Sequence, residues 1–271
     1  MLKQRILTAL VLIPVALCGF FLLDGGAFAL FIGAVVALGG WEWARLAGLQ
    51  AQWQRVAYAL VVALLLFVFY LAPGIAPWLL GLAVLWWALA CWLVLTYPNS
   101  APHWDNVASK AVIGLVILLP AWQGLVLLKQ WPLGNWLIVM VMLLVWSADV
   151  GAYFSGRAFG KRKLAPHVSP GKSWEGVYGG LALSLAVTLG VALSRDLSAG
   201  QVIGALLGAV LVVAASVVGD LTESMFKRRA GIKDSSQLLP GHGGVMDRID
   251  SLTAAVPLFA VLLWAAGWGV M

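Results

Sequence analysis

Apolar residues fall along this chain in long runs, each interrupted by only a few polar positions. A membrane-spanning helix needs about 20 mostly apolar residues. Nine runs meet or approach that length: 6–23, 27–46, 56–71, 78–97, 111–128, 133–151, 177–193, 202–221 and 252–270. The breaks at Asp24-Gly25-Gly26, Pro73-Gly74 and Trp131-Pro132 are short, so the helices they join are expected to form antiparallel hairpins. The run 56–71 is the shortest and could tilt little. No internal repeat or low-complexity tract marks a linker. The pattern predicts an all-α, polytopic integral membrane protein of about nine transmembrane helices. Residues 1–131 would hold five of them, as a scaffold or a route of lipid access, and residues 132–271 four, with two long polar loops at 156–176 and 222–251.

Composition agrees with this class. The 271 residues are 62% hydrophobic and 10% charged, with a mean hydropathy of +0.96. A soluble domain is about a quarter charged. Cys18 and Cys91 both lie inside apolar runs, with no metal-site spacing and no disulfide framework.

The net charge of +6 is informative through its distribution. Cytoplasmic loops are enriched in Lys and Arg. With a cytoplasmic N-terminus, nine crossings put fifteen basic residues inside and leave only Lys129 and Arg195 outside. One helix more or fewer would spoil that ratio, so the count supports N-terminus in, C-terminus out. Lys3 and Arg5 would suit a signal peptide, but no small-residue cleavage site follows, and the first run is expected to be retained. The basic residues sit in short loops beside the bilayer, which argues against a nucleic-acid partner.

The two polar loops are separated by two helices, so both are expected on the cytoplasmic face. Basic loops there bind anionic head groups nonspecifically, and that alone would account for the lysines and arginines. The acids need another explanation. Of eleven acidic residues, Asp220, Glu223, Asp234, Asp247 and Asp250 fall within thirty-one positions. Asp149 and Asp220 close apolar runs, a costly depth that points to function. Asp220, Glu223 or Ser224, and Lys227 fall on one face of a helix leaving the membrane. Asp247 and Asp250, three apart, share a face if the last helix begins there. Convergent carboxylates are hard oxygen ligands suited to Mg²⁺, neighbouring lysines and arginines suit phosphates, and Gly243-Gly244 lets backbone N–H groups approach an anion. The constellation reads as metal plus phosphate.

Other motifs fail. Gly171-Lys172-Ser173 ends like a P-loop, but the first glycine of that motif would fall on Pro166 and no strand is expected before it. His103, His167 and His242 have no zinc spacing, and no G-x-S-x-G occurs.

The stretch SMFKRRAGIKDSSQLLPGHGGVMDRID, 224–250, resembles the full signature of the phosphatidate cytidylyltransferases, or CDP-diglyceride synthetases. That signature reads S-x-apolar-K-R, four residues, K-D, then a small residue and L-P-x-H-G-G-apolar-x-D-R-apolar-D. DVGAYFSGRAFGK and SPGKSWEG upstream are also typical of the family, with Gly171 departing from a common lysine.

The resemblance implies transfer of the cytidylyl group of CTP to phosphatidic acid, giving CDP-diacylglycerol and pyrophosphate. It implies a Mg²⁺-dependent enzyme of phospholipid biosynthesis, multi-pass in the bacterial inner membrane, with its site on the cytoplasmic face. Under it Asp220, Asp247 and Asp250 would hold the metal, for one cation or two, and Asp149 would support it or face a polar access groove. Lys227, Arg228 and Arg248 would neutralise phosphates. Lys172, Ser173 and Ser224 would bind substrate, with Gly243 and Gly244 giving the nucleotide room. His242 would contact a phosphate or cap a turn. The family suggests a homodimer, although Trp-rich runs such as LWWALACW suit lipid contact equally well.

Two other classes remain. A CDP-alcohol phosphotransferase, another lipid head-group transferase, would need a D-G-x-x-A-R signature that is absent. An ion-coupled transporter using Asp149 and Asp220 would place its acids at the midplane on broken helices, not at one face.

Overall fold

The computed structural model describes residues 2–269, with side chains at 7, 8 and 10–269. The side chains of Lys3 and Arg5, counted above, lie outside the described residues, as does position 270, the expected end of the last span. Among the described residues the chain forms nine α-helices: α1 (Leu2–Phe21), α2 (Gly25–Ala47), α3 (Gln52–Leu71), α4 (Ala76–Leu95), α5 (Val107–Gln130), α6 (Gly134–Phe159), α7 (Trp174–Ser194), α8 (Ala199–Arg229) and α9 (Met246–Ala265). One antiparallel hairpin, β1 (Lys163–Ala165) with β2 (Ser169–Ser173), interrupts them. The apolar pattern located the helices and missed the hairpin, which is short and has no run of apolar residues.

Eight of the helices, α2 to α9, are long and apolar enough to cross a membrane. The uniformly apolar part of α1 is shorter, Leu10–Phe21. Large apolar side chains such as Leu60, Leu64, Trp78, Leu85 and Leu207 point outward on these helices, where lipid would receive them. The protein is therefore a mostly helical, multi-pass membrane protein.

Two helices run past their apolar segments, and both extensions matter for the site. α6 continues from the predicted end at 151 to Phe159, and α8 from 221 to Arg229. At 1.5 Å per residue the 31 residues of α8 span about 46 Å, more than the ~30 Å of a hydrocarbon core. Its last turns carry Glu223, Ser224, Lys227 and Arg228 beyond the apolar run as helix, not loop.

α5 and α9 form the centre. α5 is buried along most of its length and packs on α2, α4 and α9; α9 also packs on α4 and α8. Some polar atoms inside this core are satisfied across helices: Trp122 Nε1 donates to the Ala29 carbonyl at 2.9 Å, and Tyr58 Oη to the Ala111 carbonyl at 2.7 Å. Others, the Nε1 atoms of Trp86, Trp87 and Trp104 and Gln123 Oε1, are buried without a partner among the described residues. Phe226 near the end of α8 lies between Trp43 of α2 and Trp104 of the α4–α5 connection, ring centroids 4.8 and 4.5 Å away. One continuous core therefore joins the first five helices to the last four. α1 is peripheral, and Thr8 Oγ1 donates to the Pro240 carbonyl at 2.9 Å.

The closest helix pair is α6 with α7. A Cβ on Gly151 would stand 2.5 Å from the Gly179 carbonyl oxygen, and one on Gly180 2.5 Å from that of Ala148. Small residues let backbones meet where lipid gives no hydrophobic drive. Below them Ser147 Oγ and Ser184 Oγ are 3.0 Å apart, and Ser184 also donates to the Leu144 carbonyl at 3.1 Å.

Candidate active site

Two walls enclose the site. The first is the β1–β2 hairpin and the start of α7. Ser173 is buried and its hydroxyl caps α7, accepting from the Gly176 N–H at 3.2 Å. Glu175, in the first turn, accepts from the backbone N–H groups of Lys161 at 3.0 Å and Arg162 at 3.2 Å. The hairpin is tied to α8 twice. Arg228 Nε donates to the carbonyl of Val168 at 3.1 Å, and Lys172 Nζ pairs with Asp220 Oδ2 at 2.6 Å. Ser224 Oγ, one turn on, donates to Asp220 Oδ1 at 3.2 Å.

The second wall is the end of α8, the 230–245 loop and the start of α9. Lys227 Nζ bridges two carboxylates, Glu223 Oε2 at 2.5 Å and Asp247 Oδ1 at 2.7 Å. Asp247 Oδ2 accepts three further bonds: from Ser235 N at 3.0 Å, Ser235 Oγ at 2.9 Å and Gly244 N at 2.7 Å. Asp250 is within electrostatic reach of Asp220, Lys227 and Glu223, and its Oδ1 accepts from the Ser251 N–H at 2.7 Å. Glu223 Oε1 is buried with no hydrogen-bond partner. Behind this wall sits Glu42 of α2, fully buried, accepting from Ser235 Oγ, Ser236 Oγ, Val245 N and Met246 N at 2.5 to 3.1 Å.

Three structural details bear on these expectations. Gly243 and Gly244 make room for the chain's own carboxylates. Gly243 has φ +81° and a Cβ there would lie 2.7 Å from Asp247 Oδ2; a Cβ on Gly244 would meet Ser235 Oγ at 2.1 Å and Glu42 Oε1 at 2.5 Å. The anion that the Gly244 N–H approaches is Asp247. Second, a strand does precede Gly171-Lys172-Ser173, and those residues lie on β2 itself, extended instead of wrapped as a phosphate loop. Third, the carboxylates of Asp220, Asp247 and Asp250 are not gathered as a metal-ligand group: among the described residues no three such groups stand close enough to hold one ion. Lysine ammonium groups lie against two of them, Lys172 on Asp220 and Lys227 on Asp247.

Arg248 is exposed and donates twice to the His242 carbonyl, from Nε at 3.0 Å and Nη2 at 2.7 Å; His242 Nδ1 is buried without a partner. Sequence reasoning missed Glu42 and Arg157. Glu42 acts across about 200 positions, from a run that reads as scaffold, so no local pattern marks it. Arg157 stood in a motif typical of the family but carried no spacing of its own.

Beside the first wall, among α6, β2, the start of α7 and the middle of α8, lies an open cavity of about 410 Å³, with Ser251 of α9 at its edge. Asp149, Tyr153, Arg157 and Lys172 line its polar part, and Val177, Val213 and Val217 its apolar part. Asp149 is within electrostatic reach of both Asp220 and Lys172. The acids here supply only oxygen donors, one of them the unpartnered Glu223 Oε1, which fits a hard cation such as Mg²⁺ and not a soft one.

Comparison with known proteins matches this picture. The model of the cytidylyltransferase family matches residues 3–266. A phosphatidate cytidylyltransferase of Pseudomonas aeruginosa is 71% identical over 269 residues, 99% of each chain. One of Haemophilus influenzae is 47% identical, covering 96% of this chain and 98% of its own. One of Brucella suis is 37% identical, covering 95% and 91%. The chain belongs to the cytidylyltransferase family.

Proposed function

We propose that the protein transfers the cytidylyl group of CTP to phosphatidic acid, releasing pyrophosphate and leaving CDP-diacylglycerol in the membrane. The observation that carries this reading is the cavity, polar at Asp149, Arg157 and Lys172 and apolar at Val177, Val213 and Val217, set beside a bank of paired lysines and carboxylates. A lipid with an anionic head group and acyl tails has that polarity, and the relatives' name states the same substrate for those proteins.

The chemistry asks little covalent work of the chain. A phosphate oxygen of the lipid attacks the α-phosphorus of CTP, an O–P bond forms, and the bond to the bridging oxygen of pyrophosphate breaks. No serine nucleophile or strong base is needed, because the nucleophile is already an anion. Catalysis then rests on positioning and charge. Lys172, with Arg157 at the cavity, holds the lipid phosphate; Lys227, Arg228 and Arg248 face the triphosphate. Asp220 and Asp250 would hold Mg²⁺, with waters and phosphate oxygens supplying the rest of its shell. When bound, that ion neutralises charge on the transferring group. Asp247 fixes Lys227 and the loop.

The charge split of fifteen to two supports nine crossings with both walls on the cytoplasmic side of a bacterial inner membrane, where CTP is found. Pyrophosphate release by the purified protein with Mg²⁺, CTP and phosphatidic acid, with CDP-diacylglycerol recovered in the lipid, is the expected result. No release with any nucleotide in a panel would overturn the reading.

A further inference from the structure

We propose that Glu42, in the scaffold half of the chain, is a positioning residue for the reaction, acting through the first turn of α9; this rests on the cytidylyl-transfer reading for its kinetic arm. Glu42 is fully buried, yet among the described residues no cation pairs with it directly, and Arg55 acts on it only by charge attraction at longer range. A buried carboxylate without a counter-ion is costly unless its oxygens are hydrogen-bonded. Each oxygen here accepts one backbone N–H and one hydroxyl: Oε1 takes Val245 N at 2.9 Å and Ser236 Oγ at 2.5 Å, and Oε2 takes Met246 N at 2.6 Å and Ser235 Oγ at 3.1 Å.

Val245 and Met246 open α9, where N–H groups have no intrahelical partner and the helix dipole favours an anion. Glu42 is that anion, supplied by a different helix. An apolar residue would fill the same volume but would not fix direction, whereas four directed bonds fix the depth and rotation at which α9 starts. That start sets where Asp247 and Asp250 stand relative to Lys227 and Asp220. The coupling is direct as well, since Ser235 Oγ also lies 2.9 Å from Asp247 Oδ2. The hydroxyl has one proton to share between two carboxylates, so any shift of Glu42 is felt at Asp247.

The isosteric variant Glu42→Gln keeps the volume but has only one acceptor oxygen for two backbone N–H groups. Ser236→Ala is milder: it removes one donor to Glu42 and an acceptor for Leu238 N, and leaves the bonds of Asp247 intact. The full-length variants are purified in lipid nanodiscs and measured by steady-state pyrophosphate release and by amide exchange at residues 244–247. Misplacing reacting groups by about 1 Å costs on the order of a hundredfold in rate, so E42Q should lower kcat by about that factor. KM for phosphatidic acid should stay within about threefold, because Lys172 and Arg157 lie at the cavity, away from the bonds of Glu42. S236A should lower kcat about three- to tenfold. Exchange at Val245 and Met246 should rise in both variants.

Wild-type kcat in S236A, unchanged exchange in it, or a KM effect with kcat preserved in either variant would overturn the proposal. If E42Q does not fold, S236A decides. Should the unaltered protein release no pyrophosphate, the reaction reading fails while the exchange data still decide whether Glu42 holds α9.

Discussion

Lys172 and Asp220 meet at 2.6 Å, the ammonium group on a strand of the hairpin and the carboxylate on a long membrane helix. Both side chains are about a third exposed, at 29%. The contact fastens the hairpin wall to the α8 wall at the cavity's polar end, and it leaves each charge accessible to a ligand bearing the opposite one.

Lys172→Met keeps most of the side chain's length and removes its charge. A hydrogen bond to a charged group contributes about 1.5–3 kcal/mol, roughly ten- to a hundredfold in rate. Catalytic efficiency with phosphatidic acid should fall by that range in initial-rate measurements. An unchanged efficiency would remove Lys172 from the site.

Gly244→Ala places a Cβ against Ser235 Oγ and the Glu42 carboxylate, whereas a Cβ on Gly204, on an open face of α8, meets nothing within 4 Å. Overpacking costs about 1–3 kcal/mol, and Gly to Ala on an open helix face gains about 0.5–1 kcal/mol. Thermal unfolding should show a lower midpoint for the first and an equal or higher one for the second, with activity lost only in the first.

Gly180→Ala tests the close approach of α6 and α7. Its Cβ would force the Ala148 carbonyl aside, and Gly180 also lines the cavity. The expected outcome is a stability loss of about 1–3 kcal/mol together with a higher apparent KM for phosphatidic acid and an unaltered KM for CTP.

Asp105, in the loop before α5, is held below the usual carboxylate range by its hydrogen bond from Arg229, helped by Lys110. A depressed folded-state value means stability that is present above the unfolded value of about 3.9 and is lost as pH falls through the folded one. Asp105→Asn should therefore cost about 0.2–1 kcal/mol at pH 7. Its midpoint should begin to converge with that of the unaltered protein as pH falls below about 4, as read by thermal unfolding across that range.

Chelation with EDTA should abolish pyrophosphate release, and added Mg²⁺ should restore it. Ca²⁺, with longer bonds and looser geometry, should restore it poorly. Full activity in EDTA would contradict the assignment of Asp220 and Asp250.

Much of this was legible in advance because lipid imposes a simple rule: a long apolar run must be a helix. The face formed by Asp220, Ser224 and Lys227 followed from helical spacing alone, and the structure shows Ser224 and Asp220 bonded on it. What escaped the sequence was contact between distant segments. Nothing in the neighbourhood of Glu42 announces Val245, and nothing in KDSSQLLPGHGG shows that its serines and glycines serve two internal carboxylates. The hairpin escaped for another reason: its strands are three and five residues long and show no alternating apolar pattern.

The lysine–carboxylate pairs have a consequence for what the resting site will accept. With Lys172 against Asp220 and Lys227 between Glu223 and Asp247, both lysines and three of the acids already have partners. A lone phosphate would have to strip a lysine from its carboxylate and leave that carboxylate bare; a lone cation would do the reverse. A ligand carrying both charges together, as a magnesium nucleotide does, gives every group a new partner in one exchange. On the proposed function, this internal pairing thus acts as a filter against the free phosphate and free cations of the cell.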